Sequence, residues 1–91
     1  MREVTQRIAV ISSQFQADLR YWIETDRKSA LRVLDLVTAI LSDPFTGIGK
    51  PEPLRFELAG CWSRRVNQEH RLVYRVKQER VEFLQARFHY D

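Results

Sequence analysis

The 91 residues suffice for one hydrophobic core but not two, so a single domain spanning 1–91 is expected. No apolar run approaches the roughly 18 residues of a membrane span, the run Ile8 to Ile11 is too short for a signal peptide, and one cysteine, Cys61, excludes an internal disulfide. The net charge of +3 arises wholly after residue 44, where nine basic side chains face six acidic ones, against six and six before it.

These exclusions point to a reducing, cytoplasmic setting without a membrane partner. Residues 1–6 are polar and expected to fray. Residues 7–12 (RIAVIS) have the β-branched content of a short strand. Ser12 or Ser13 can cap a helix, because a hydroxyl there accepts an otherwise orphaned amide. Phe15, Leu19, Trp22 and Ile23 follow as one helical stripe. Thr25-Asp26 interrupts the pattern and supplies a second cap. The next helix presents Ala30, Val33, Leu34, Val37, Ile40 and Leu41 on one face and stops at Asp43-Pro44, since proline cannot continue it. Two helices joined so closely form a hairpin that must lay its stripes on a sheet.

Residues 54–59, 61–66, 70–77 and 81–89 read as four strands, and their short links favour antiparallel neighbours. Apolar residues at every second position (Leu54, Phe56, Leu58; Leu72, Tyr74, Val76; Leu84, Ala86, Phe88) are expected to face the helices. The outward set is then Arg55, Glu57, Ser63, Arg65, Arg71, Val73, Arg75, Gln85, Arg87 and His89. The expected fold is therefore α+β, with an N-terminal strand and helical hairpin packed on a mainly antiparallel sheet of four to five strands. Twelve of the fifteen basic residues are arginine, which forks onto phosphate and stacks on bases better than lysine. Such a face suits a nucleic acid, and an acidic protein segment would use the same surface.

No metal site is readable: two histidines and one cysteine lack paired spacing, and no cofactor is expected. Gly47-Ile48-Gly49-Lys50 lacks the four-residue gap and hydroxyl of a phosphate loop. Cys61, beside Trp62 and without a local base, reads as core filler rather than nucleophile. What remains is acid–base chemistry on a phosphate. A ribonuclease of that kind needs a base for the ribose 2′-OH proton, cations for the growing phosphorane charge and an acid for the leaving 5′ oxygen. Glu52, Arg71 with its basic neighbours, and His89 are candidates for these roles. On pattern alone each has a plainer alternative: a solvated loop carboxylate for Glu52, a surface histidine for His89, and a sheet face in which Arg64, Arg65, Arg71 and Arg75 pair with Glu57 and Glu69. His70 shares parity with Leu72 and Tyr74 and reads as a packing residue.

Five ordered motifs bear on that choice. They are Tyr21-Trp22-x-Glu24-Thr25-Asp26, Asp43-Pro44-Phe45-x-Gly47, Gly49-Lys50-Pro51-Glu52-Pro53-Leu54, Gly60-x-Trp62-Ser63-Arg64-Arg65 with Glu69-His70-Arg71-Leu72-Val73-Tyr74, and the terminal Arg87-x-His89-Tyr90. Together they resemble the YoeB/Txe family of type II toxin–antitoxin toxins, over nearly the whole chain. The resemblance implies a RelE-like fold and a ribosome-dependent mRNA endonuclease acting in the decoding site of the 70S ribosome. It also implies neutralisation by a cognate, YefM/Axe-like antitoxin, operator DNA contacted only through that complex, and free toxins that pair as homodimers. By matching positions, Glu52 would be the general base, Arg71 the stabiliser of the transition-state phosphate and His89 the general acid. Tyr90 would position substrate, and Lys50, Arg55 and Arg65 would help hold RNA. Arg55 stands where the family usually has lysine, Cys61 replaces an aromatic, and Asp91 follows the usual terminal tyrosine. A non-cleaving ribosome-binding inhibitor and an antitoxin-binding corepressor module are the alternatives from other classes.

Overall fold

The computed structural model describes residues 6–87; of the fraying start expected at 1–6, residues 1–5 lie outside the described residues, as do Phe88, His89, Tyr90 and Asp91. The elements run β1 (Ile8–Ile11), α1 (Ser13–Thr25), α2 (Arg27–Ser42), β2 (Glu52–Pro53), β3 (Cys61–Arg65), β4 (Arg71–Val76) and β5 (Arg80–Gln85). Five strands form one mixed sheet in the order β1-β5-β4-β3-β2. β1 runs parallel to β5, and the other three pairings are antiparallel.

The helix boundaries are set by local chemistry. Ser12 Oγ accepts from the Phe15 amide at 3.0 Å and donates to the Leu84 carbonyl at 2.9 Å, so one hydroxyl caps α1 and ties it to β5. The Asp26 carboxylate caps α2, accepting from the Ser29 hydroxyl at 2.9 Å. No helix among the described residues is long and apolar enough to cross a membrane.

The hairpin covers one face of the sheet. Phe15, Trp22, Ala30, Val33, Leu36 and Ile40 meet Val66, Leu72, Tyr74, Val81, Phe83 and Ala86 in the main core. The expected stripes are right in kind and shifted in phase: Leu36 is fully buried, whereas Ile23 and Leu34 are exposed.

Two strand expectations are corrected. Residues 54–59 are not a strand: after β2 the chain forms a 3-10 turn at Phe56–Leu58 and leaves Phe56 89% exposed. Leu54 and Leu58 fold against Cys61, Val73 and Leu84 as a second, small cluster on the sheet face away from the helices. That cover buries Ser63 and Val73, which alternation placed outward in solvent. The second correction concerns β5. Its register slips between Val73 and Tyr74, with Val73 opposite Gln85 and Tyr74 opposite Phe83. Val81, Phe83 and Ala86 therefore face the helices, and Leu84 faces away.

Candidate functional site

The site is built on the face away from the helices, at the end where β4 begins. Glu52 pairs with Ser63, Ser63 with Val73, and Val73 with Gln85, so these four side chains form one row across four strands. One step along, Arg65 pairs with Arg71. At about 4.8 Å per strand spacing and 3.3 Å per residue, the backbones of Glu52 and Arg71 lie roughly 12 Å apart. Two long side chains can close on a phosphate from that separation.

β2 is placed by the edge of β3. Leu54 N donates to the Cys61 carbonyl at 2.9 Å, and Arg65 N donates to the Gly49 carbonyl at 2.7 Å, so the chain follows β3 from residue 49 to 54. Lys50 enters this stretch at φ 55, a left-handed conformation costing about 1 kcal/mol or more in a non-glycine residue. Glu52 is exposed and shares the wall of an open depression with Arg55, Phe56 and Glu57. Arg55 thus belongs to the rim, on a loop, rather than to a strand.

The arginines fall into three groups. Arg75 pairs with Glu82 at 3.3 Å, and Arg80 joins the same carboxylate at 2.9 Å; these two guanidinium groups hold Glu82 below the ordinary carboxylate range, the hydrogen bond from Arg80 first. Arg64 is completely buried on the helix side. Its guanidinium donates to Tyr74 Oη, to the Ile48, Asp43 and Thr46 carbonyls, and packs over the Tyr74 ring. It is a staple for the loop at 43–49, and the expectation that it belongs to a cationic surface is withdrawn. Arg65 and Arg71 form the third group. Neither meets a carboxylate among the described residues, and the pairing with Glu57 and Glu69 is not seen. Arg71 Nη1 is buried with no hydrogen-bond partner among the described residues.

His70 packs against Trp22 with the two rings nearly perpendicular and their centroids 5.0 Å apart, as its parity indicated. Arg87 does not face outward: its guanidinium lies 3.4 Å from the Tyr21 ring centroid on α1. Trp22 Nε1 donates to the Ala86 carbonyl and the buried Asp18 carboxylate accepts the Ala86 amide, so with Tyr21 all three serve the segment after β5, a role missed from sequence. The available signal was a carboxylate, Asp18, inside the apolar stripe of Phe15 and Trp22. Among the described residues no three His, Cys, Asp or Glu side chains are grouped to hold a metal ion. The structure brings Glu52, Lys50, Arg65 and Arg71 to one end of one face. His89 and Tyr90 lie outside the described residues, but the chain leaves β5 beside the Arg71 end of β4.

The sequence and its fold have known counterparts. The family profile described as "YoeB-like toxin of bacterial type II toxin-antitoxin system" matches residues 11–90. The chain is 55% identical to Toxin RelK of Mycobacterium tuberculosis over 73 residues, 80% of this chain and 86% of that one. It superposes on the YoeB dimer structure from Staphylococcus aureus with TM-score 0.85 at 34% identity, covering 94% of this chain and 100% of the other. The YoeB-YefM complex from Staphylococcus aureus gives TM-score 0.81 at 33% identity, with the same coverage, 94% and 100%.

Proposed function

Because the chain belongs to the YoeB-like toxins of bacterial type II toxin–antitoxin systems, we propose that it is an endoribonuclease that cuts mRNA in the decoding site of the 70S ribosome. The observation that carries this reading is the Arg65–Arg71 pair. The two arginines pair across β3 and β4, neither meeting a carboxylate among the described residues and one having a buried donor unpartnered there, on the face that also presents Glu52. An unsatisfied buried guanidinium N–H is unfavourable in the free protein, and a phosphate oxygen satisfies it.

Each residue takes the role that the family resemblance implies for it. Glu52 takes the proton of a ribose 2′-OH, and the freed oxygen attacks the adjacent phosphorus. Arg71, with Arg65 and Lys50 nearby, holds the charge that grows on the phosphorane oxygens. The bond to the 5′ oxygen of the next nucleotide breaks as His89 delivers a proton to it, with Tyr90 and Arg55 positioning the RNA. The products are a 2′,3′-cyclic phosphate and a 5′-OH end. The reaction needs two proton carriers and a cationic clamp, and calls on no metal or cofactor.

The partner reading leans on relatives. The Staphylococcus aureus toxin is bound by YefM in one structure and is dimeric in another. By analogy this chain is silenced by a YefM/Axe-like antitoxin, reaches operator DNA through that complex alone, pairs with itself when free, and acts in the cytoplasm. The chemistry is tested with an mRNA carrying one 2′-deoxynucleotide at the cleaved position. Cutting should stop at that site and persist elsewhere; unchanged cutting there would overturn the transesterification.

A further inference from the structure

The backbone just past β5 is gripped from α1. The Asp18 carboxylate accepts the Ala86 N–H at 2.9 Å through Oδ2 and the Gln14 amide at 2.8 Å through Oδ1. Trp22 Nε1 donates to the Ala86 carbonyl at 2.9 Å. One residue later, the Arg87 guanidinium stacks on Tyr21. The strand ladder has ended at Gln85, so both polar groups of Ala86 are held by side chains rather than by a neighbouring strand. Asp18 is 1% and Trp22 5% exposed. A buried carboxylate is an expensive way to satisfy one amide, because its own desolvation offsets much of the bond. A water-exposed strand end would satisfy the same amide with solvent. What the arrangement achieves is a fixed direction for the chain as it leaves the sheet.

That direction matters because His89 is three residues beyond Ala86, at most about 10 Å of chain. We propose that Asp18 and Trp22 are positioning residues, clamping both polar groups of Ala86 and so fixing the direction in which the chain leaves the sheet, on which the proton transfer assigned to His89 depends; this rests on the endoribonuclease reading above. They touch neither substrate nor reacting atoms. Their action runs through the backbone of Ala86, with the Arg87–Tyr21 stack guarding the next residue against rotation.

The test is single-turnover mRNA cleavage on programmed ribosomes with Asp18→Ala, Asp18→Asn and Trp22→Phe, each alone and combined with His89→Gln, beside thermal melts of every variant. Asp18→Ala should lower the maximal rate about 10²-fold, as a 1 Å displacement of a reacting group does, with the half-saturating ribosome concentration unchanged. Asp18→Asn keeps an acceptor for the Ala86 amide and should recover most of the rate. Trp22→Phe keeps the packing, removes the one donor and should lose rate in the same sense. In the His89→Gln background none of the three should cost anything further. A loss that carries over undiminished into that background would overturn the positioning role and leave a structural one. Full activity of folded Asp18→Ala and Trp22→Phe would overturn it too. If His89→Gln itself cuts at the normal rate, it is the proton-donor assignment that fails, and the positioning role falls with it.

Discussion

Arg64 on β3 and Tyr74 on β4 are diagonal neighbours on the helix side of the sheet, with the guanidinium Nε donating to the phenol oxygen at 3.1 Å. The Tyr74 hydroxyl in turn donates to the Pro44 carbonyl at 2.7 Å. Together they fasten the loop that leads from α2 to Glu52, because Arg64 also holds the carbonyls of Asp43, Thr46 and Ile48. Gly47 fits beneath this staple: a Cβ there would stand 3.0 Å from Arg64 Nη1. Arg64→Met should therefore orphan three carbonyls, destabilising the fold by about 3 kcal/mol. Calorimetry should show Tm lowered by about 15 °C for a chain of this size.

Burial pushes the Tyr74 phenol above its ordinary pKa of 10.0, and the hydrogen bond and charge of Arg64 pull the other way without overcoming it. A raised folded-state value means that the contribution to stability is complete below about pH 10 and is lost as pH rises through the folded value. Denaturant melts across the alkaline range should show this fall in the wild type. Tyr74→Phe should lack it while being less stable at neutral pH.

Asp43 sets the acid side. Its carboxylate accepts the Phe45 amide at 3.0 Å, the Thr46 hydroxyl at 2.7 Å and the Thr46 amide at 3.3 Å. These bonds, the Phe45 amide foremost, hold it below its ordinary 3.8. The sign is opposite to that of Tyr74: the contribution is present above about pH 4 and disappears as pH falls through the depressed value. Asp43→Asn should be less stable at neutral pH and lose less between pH 5 and 2, as measured by urea midpoints.

The outer arginines should separate by partner. Arg75 is already engaged by Glu82, so Arg75→Gln should change cleavage less than threefold, about 0.6 kcal/mol. Arg71→Gln should lower it on the order of 10²–10³-fold, the scale of losing one oxyanion-type donor. Both should keep wild-type melting within a few degrees, since neither change opens the main core. Equal losses from the two variants would assign the effect to general surface charge.

The parts of this fold that were legible in the sequence are those written locally. The Ser12 and Asp26 caps and the stop at Asp43-Pro44 are each decided within a few residues. Alternation placed Leu72, Tyr74 and Val76 correctly because β4 is the central strand, with one face against the helices. It misread residues 54–59, where Leu54 and Leu58 do pack but Phe56 sits at φ 57 in solvent; a period of two cannot distinguish a strand from a turn that buries its two ends. It misread Leu84 because a single bulge changes the parity between Phe83 and Ala86, which leaves both of those on the helix side and Leu84 on the other. Arg64 was readable and was overlooked: it shares parity with Trp62 and Val66, and only its charge argued for the surface. At the site, composition and motif picked out Glu52, Lys50, Arg65 and Arg71, but that Arg71 alone among them has a buried donor unpartnered among the described residues depends on β3–β4 packing.

The most direct measurement is a map of mRNA 5′ ends during in vitro translation with magnesium held constant, comparing wild type, Glu52→Gln and His89→Gln. The account predicts ribosome-dependent cuts inside codons, leaving 5′-OH ends, that fall by on the order of 10²–10⁴-fold in both variants. Translation that halts on intact mRNA would contradict it and leave a protein that binds the ribosome without cutting.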